Sequence, residues 1–377
     1  MKTVLLNNDR SLSERLYQFK VRLFSSLRFH RFIRKVPIIK YLINYEGGRI
    51  YDVMAGFIYS QILHSLVELD VLQYLKSNGR SLAELSSFTK MDEDRTLVLL
   101  RGACALKLIY YKNNSYWLSR MGVQILGIPG LLEMIGHNQL LYKDLESPVS
   151  ILKGKKDTHL RNFWPYVKKT EENSRSNEDN SAQYSKLMQT SQRLVAEEAL
   201  DTFSLAGFKN ILDLGGGTGA FLYEVNRRYP NIDRSLFDLP DVINEAKKNK
   251  SRDGHFASIK LISGSFLDDD LPKGFDLISL VRVLYDHRDD TVERILSCVY
   301  KALPHDGKVL ITEPMSGGIS PSKSSDCYFS FYTMAMTTGK VRSFYEHKAI
   351  LEKVGFSRVK KHRGSASFIT QVITAEK

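Results

Sequence analysis

The sequence predicts an α/β protein: a mostly parallel sheet with an antiparallel edge, preceded by a helical region that carries one hairpin. Three observations predict it. From residue 207 onward, short apolar runs alternate with amphipathic helical segments, the order that builds a parallel sheet. Within that stretch, Asn210-Ile-Leu-Asp-Leu-Gly-Gly-Gly-Thr-Gly219 turns an apolar strand into a helix through a glycine loop. Before residue 207, apolar residues recur mainly at three- and four-residue steps, which is helical spacing.

The chain begins with a basic stretch. Residues 1–46 hold ten Lys and Arg against three acids, a net +7 out of +12 for the whole chain. Leu12, Leu16, Phe19, Leu23, Leu27 and Val36 recur near helical spacing, with Arg15, Lys20 and Arg22 off that stripe. A basic amphipathic helix of this kind can lie in the headgroup layer of an anionic membrane. It can equally pack on a partner subunit and expose its charges, and both readings stay open.

Residues 47–135 form the next unit. Ile50 to Leu75 is helical, and Ser81-Leu-Ala-Glu84 is a capping box that opens a short helix. Asp92-Glu-Asp-Arg-Thr opens another, with acids at its positive end. Leu108 to Leu118 reads as two short strands around Asn113-Asn114. Helix, helix and hairpin suggest a winged helix. Its second helix opens with three acids, whereas a DNA reader needs a basic one, so a packing or dimerisation role is expected and no nucleic acid.

Residues 136–206 are helical, interrupted by a polar run from Glu171 to Asn180. Phe163, Trp164, Tyr184 and Met188 flank that run, together with Met334 and Met336 further on, as candidate pocket lining. Residues 207–377 carry the strands. These are the run ending at Asp213, Ser235 to Asp238, Ile259 to Ile262, Phe275 to Val281, Lys308 to Thr312 and, as an antiparallel edge, Phe368 to Thr374.

In such sheets ligands bind beyond the carboxyl ends of the strands. Glycines there let the backbone reach positive φ and let a ligand lie against bare main chain. Asp213 just before Gly215 and Gly217 suits a ligand amine better than a phosphate, because like charges repel. Asp238 lies about twenty residues beyond the glycines, where an acid can accept from ribose hydroxyls. The combination favours S-adenosylmethionine over NAD.

Composition bounds the rest. A 377-residue chain, 43% hydrophobic and 25% charged, fits a soluble globular protein of two domains. It shows no stretch near the roughly 18–20 apolar residues of a membrane span, and no leader-like apolar core at its start. Cys104, Cys298 and Cys327 are too few and scattered for a disulfide frame or a zinc site. A cytoplasmic location follows, with peripheral contact at the inner face of the membrane as the refinement the basic arm allows.

At these residues the chain resembles the class I S-adenosylmethionine-dependent O-methyltransferases of the caffeate and acetylserotonin type, from about residue 50 to the end. The likeness rests on the glycine run, Phe-Asp-Leu-Pro240, Gly264-Ser-Phe266, Val-Leu-Tyr-Asp-His287, Thr-Glu-Pro314 and Gly339-Lys-Val-Arg342, in the family's order. It is more similar still to the bacterial carotenoid O-methyltransferases of the hydroxyneurosporene (demethylspheroidene) type, through Ser279 to His287, Glu313 to Gly318, Tyr328 to Met336 and Phe163 to Tyr166. Those enzymes methylate a tertiary hydroxyl at the end of a long polyene. The resemblance implies a Rossmann-like domain, a homodimer and an apolar alcohol as substrate. It also implies that Asp213, Gly215 and Gly217 hold the methionine end of the cofactor and that Asp238 takes the ribose. Gly264, Ser265 and Phe266 would border the adenine, and Arg282 would be a cofactor-side arginine. The broader family has Asp where Ser265 stands.

The family's base, a His, falls here at Tyr285. Of its two supporting Glu, one matches Glu313 and the other falls at Val341. Tyr is ordinarily protonated at neutral pH, whereas His287 two residues on has a more suitable pKa. His287 is therefore the expected base, with Tyr285 orienting the hydroxyl. Alternatives are an aromatic or polyketide hydroxyl, a tetrapyrrole carbon, a cofactor-sensing winged-helix regulator, and a degenerate scaffold that binds the cofactor without turnover.

Overall fold

The computed structural model describes residues 12–33, 37–154, 157–163, 192–252, 254–364 and 369–377. Its main sheet has seven strands in the order β5-β4-β3-β6-β7-β9-β8. These are β3 (Asn210–Leu214), β4 (Asp233–Asp238), β5 (Lys260–Ser263), β6 (Leu277–Val281), β7 (Lys308–Glu313), β8 (Ser357–His362) and β9 (Gln371–Glu376). Strands β3 to β7 pair parallel, and β9 runs antiparallel to both β7 and β8. β6 is buried at every position, as expected for a central parallel strand covered on both faces.

One expectation is corrected here. The C-terminal strand is antiparallel, but it begins at Gln371 and lies inside the sheet, not at its edge. The antiparallel edge is β8, Ser-Arg-Val-Lys-Lys-His, whose charged composition shows no apolar alternation.

Helices cover both faces. Val292, Ile295, Leu296 and Val299 of Asp289–Ala302 pack on one face with Leu351 of Phe344–Val354. Phe221, Leu222 and Val225 of Ala220–Arg228 pack on the other, beside Val195, Ala196 and Ala199 of the helix at 192–202. Truncating one of these buried Leu residues to Ala would cost about 2–5 kcal/mol.

The N-terminal half has its own core, built on Leu66, Leu72, Leu85, Leu100 and Ile109. Ser81 and Glu84 form the expected capping box at Leu82–Thr89, and Asp92 caps Glu93–Ala105. The hairpin β1 (Ile109–Lys112) and β2 (Ser115–Leu118) turns at Asn113 and Asn114, both at positive φ, as a two-residue hairpin of this hand requires. The helix Pro37–Glu68 is 32 residues long and runs unbroken past residue 46, where composition had placed the end of the arm. Leu131–Asp144, Pro148–Leu152 and His159–Phe163 then lead toward the sheet. The polar run 171–180, with Trp164, Tyr184 and Met188, lies outside the described residues.

Candidate active site

The glycine turn follows β3, and two carboxylates organise it. Asp238, ending β4, accepts from the Gly217 amide at 2.8 Å and from the Leu239 amide at 2.7 Å. Burial pushes its carboxyl up to about 6, against the pull of those two amides. Asp213 stands opposite Ser279 in the β3–β6 register, and the Ser279 hydroxyl donates to its Oδ1 at 2.7 Å. Burial pushes Asp213 up to about 7; the Ser279 bond opposes the shift and the Asp238 charge adds to it.

Asp213 has no solvent exposure, and a side chain on Gly216 would collide with its carboxylate. The turn therefore closes over Asp213, and its Oδ2 is buried without a protein partner. A direct contact with a ligand amine, as expected from sequence, is not what this arrangement offers. Asp213 supports the turn from below, while Asp238 is the acid that reaches solvent. Gly215 (φ 68°) and Gly217 (φ 61°) adopt the left-handed backbone for which their lack of Cβ suits them. An anionic, glycine-lined cradle with an uncompensated buried carboxylate beneath it fits a cationic sulfonium cofactor.

At the end of β5, Gly264 approaches the Phe237 ring too closely for any side chain. The Ser265 hydroxyl donates to Asp268 at 2.8 Å, and its amide donates to Asp269 at 2.7 Å. Carboxylates thus lie beside the position where the broader family carries Asp. Phe266 meets the His287 ring edge-on at 5.7 Å.

The third part of the site follows β6. Val283 packs against Gly215, so this loop borders the turn directly. Arg282 sits in the left-handed region at φ 57°, a costly conformation for a side-chain-bearing residue. Its guanidinium reaches the Tyr285 hydroxyl at 3.3 Å. Tyr285 is on the short 3₁₀ turn Leu284–Asp286, and burial pushes its hydroxyl well above the ordinary value, opposed by Arg282. It therefore keeps its proton.

Glu313 ends β7 with no solvent exposure. Its Oε1 accepts from the Val283 amide at 2.9 Å and the Leu284 amide at 2.7 Å, which fixes the turn that carries Tyr285. Burial pushes its carboxyl up to about 8, so it is largely neutral at pH 7. Val341, where the family has its second Glu, is partly buried and packs against the core.

His287 lies against Phe266, and burial, with the nearby Arg342 charge, pushes it down to about 4. The structure thus joins Tyr285 to Arg282 and Glu313, while His287 faces the β5 side.

Two features have roles that the sequence did not assign. Arg342 has no solvent exposure and donates to the carbonyls of Leu284 (3.0 Å), Lys340 (3.2 Å) and His287 (2.7 Å), and to Asp289 (2.7 Å). Gly339 fits closely against the Tyr285 carbonyl, which accepts from the Lys340 amide at 2.9 Å. The Gly-Lys-Val-Arg motif is therefore the brace of the Tyr285 turn. In sequence it served only as a mark of the family likeness, with no role attached to Arg342.

The second feature is a polar cluster from the helical half. His137 Nε2 meets the Tyr332 hydroxyl at 2.7 Å, and the Tyr328 hydroxyl donates to Asn138 at 2.6 Å. Tyr332 lies near Tyr285, Tyr328, Arg282 and Asp286. Of the expected pocket residues, Phe163 packs on His137 at 4.6 Å between ring centroids. Met336 is buried in the same cluster as Phe163 and Tyr332, whereas Met334 is exposed. Among the described residues, no His, Cys, Asp or Glu group is arranged to hold a metal.

Residues 142–357 match the sequence profile of the O-methyltransferase domain. The demethylspheroidene O-methyltransferase of Cereibacter sphaeroides is 41% identical over 361 residues, covering 96% of this chain and 95% of that protein. That of Rhodobacter capsulatus is also 41% identical, over 95% of this chain and 89% of its own. Among solved structures, human N-acetylserotonin methyltransferase in complex with SAM superposes with a TM-score of 0.74 at 23% identity, covering 88% of this chain and 97% of the other. The mitomycin 7-O-methyltransferase MmcR superposes with a TM-score of 0.72 at 20% identity, over 90% and 100%. Both share the fold. With the profile matched over more than half its length and relatives similar nearly end to end, this chain belongs to the O-methyltransferase family, whose methyl donor is S-adenosylmethionine.

Proposed function

We propose that the protein methylates the tertiary hydroxyl of an acyclic hydroxycarotenoid. The end-to-end similarity to two demethylspheroidene O-methyltransferases carries this reading. The apolar cluster of Phe163, Tyr332 and Met336, whose Tyr332 lies near Tyr285, supports it, because a polyene needs an apolar lining.

In this reading the glycine turn and Asp238 hold the cofactor, with Gly264, Ser265 and Phe266 along its adenine. When bound, the cofactor supplies an electrophilic methyl on a sulfonium. Tyr285, fixed by Glu313 and Arg342, offers its hydroxyl to the acceptor oxygen and sets its line of approach, a large part of catalysis for an in-line displacement. Arg282 places positive charge beside that oxygen as its proton leaves. A tertiary alcohol is too weak an acid to ionise beforehand, so proton loss accompanies transfer.

We further propose a homodimer and a peripheral membrane contact. Tyr45, Tyr51, Val53, Met54 and Phe57 are exposed along Pro37–Glu68 and suit a second copy. Leu12, Leu16 and Phe19 are exposed beside Arg15, Lys20 and Arg22 on Leu12–Phe24 and suit an anionic bilayer. No described helix is long and apolar enough to cross a membrane. The helix–helix–hairpin region is read as a winged helix used for packing.

The test is mass spectrometry of products from isotopically labelled S-adenosylmethionine with an acyclic hydroxycarotenoid and a panel of phenols. Label in the carotenoid is expected. Label confined to the phenols would replace the substrate assignment.

A further inference from the structure

Elements far apart in the chain converge on one hydroxyl beside the reacting centre. Tyr332, on Ser330–Met336, meets Nε2 of His137, on Leu131–Asp144, at 2.7 Å. Phe163 packs on the imidazole, and the Arg282 charge acts on it. Through Tyr332 the pair adjoins Tyr285, Asp286 and Tyr328. Val283 ties this cluster to Gly215 of the cofactor turn. His137 is partly buried and not sealed from solvent.

Three titratable groups of the site suit proton removal less well. Tyr285 keeps its own proton. Glu313 is spent on main-chain amides, and His287 faces Phe266. Burial and the Arg282 charge push His137 down to about 4, so it is neutral with a nitrogen lone pair available at pH 7.

We propose that Tyr332 and His137 form the proton exit from the acceptor alcohol, a role that rests on the methyl transfer proposed above. As the alcohol oxygen bonds to the methyl carbon, the carbon–sulfur bond breaks and leaves its electron pair on sulfur. The alcohol O–H bond breaks toward Tyr332 Oη, and the proton of Tyr332 passes to His137 Nε2. The imidazolium, disfavoured beside Arg282, then returns its proton to solvent.

The tautomer of His137 tests the pair without any substrate. In ¹⁵N-histidine-labelled full-length protein near pH 7, Nε2 is expected to be the bare, accepting nitrogen, with a resonance that moves in Tyr332→Phe. A proton on Nε2 would overturn the proposal. With an active acceptor, His137→Gln and Tyr332→Phe should each lower kcat about 100-fold or more. Cofactor Kd and acceptor KM should change less than about twofold, a split that a misfolded pocket would not give. Retention of kcat within about threefold in both variants would also overturn it. If the wild-type protein forms no S-adenosylhomocysteine with any acceptor, the methyl-transfer reading fails, and the tautomer still decides the fate of the pair.

Discussion

The guanidinium of Arg342 donates to the main-chain oxygen of His287 at 2.7 Å from a side chain with no solvent exposure. The same group holds the Leu284 carbonyl on the other side of Tyr285. A charged side chain far along the sequence thus sets the path of the loop that presents the acceptor-side hydroxyl.

Arg342→Met should therefore be costly out of proportion to its volume. It removes the arginine donor from the His287, Leu284 and Lys340 carbonyls, of which Leu284 keeps the His287 amide, and it leaves Asp289 to Lys340. We expect a loss of about 3–5 kcal/mol in urea unfolding. Arg342→Lys should recover little of it, since one ammonium cannot span three directions. An unchanged midpoint would show that the loop holds itself.

The acids of the cofactor turn predict an unusual pH dependence. Burial pushes the carboxyls of Asp213 and Asp238 up to about 7 and about 6, against an ordinary 3.8. Over that interval the folded chain retains protons that the unfolded chain has released, so their contribution to stability falls as pH rises toward 7. A cationic ligand favours the ionised acids and reverses the trend. Calorimetry should find S-adenosylmethionine binding that tightens from pH 5.5 to 7.5 and then levels off. Asp238→Asn should weaken binding at pH 7.5 and flatten the profile.

Glu313 offers a sharper contrast between two substitutions. Because its carboxyl is pushed up to about 8, the neutral amide of Glu313→Gln resembles the native state at pH 7. The amide oxygen can still accept from Val283 and Leu284, so stability should stay within about 0.5 kcal/mol and kcat within about threefold. Glu313→Ala should lose about 1–3 kcal/mol by stranding both amides. The native protein should lose stability as pH rises through about 8, and Glu313→Gln should not. Inactivation of the Gln variant at pH 7 would mean that a carboxylate is required.

Removal of residues 1–33 separates the two proposed uses of the N-terminal region. Pro37–Glu68 remains, so the truncated chain should lose only the circular dichroism of Leu12–Phe24 and Leu27–Ile33 and keep its cofactor affinity and a dimeric sedimentation coefficient. Its co-sedimentation with phosphatidylserine vesicles should fall, and the full-length signal should weaken with salt. Equal vesicle binding by both chains would remove the membrane role.

How much of this was legible in the sequence depended on whether a feature is local. Asp213, Gly215, Gly217 and Asp238 lie in strand–turn–helix units that announce themselves by spacing. The Ser81–Glu84 cap and the Asn113-Asn114 turn are equally local and were read correctly. The covering of Asp213 by Gly216 was not legible, because strand polarity places a residue without saying what lies above it. Arg342 and His137 act across 58 and 195 residues of chain, and no periodicity marks such contacts. The edge strand escaped because it is written in charges, the opposite of what a strand search rewards.

That strand has a consequence beyond the site. Arg358, Lys360 and Lys361 line the sheet's open flank, and a register irregularity interrupts its pairing between Ser357 and Lys360. An incoming β-segment would meet like charges and a kinked template, two devices that discourage further ladder growth. Charge and broken register together make this flank a poor template for another strand.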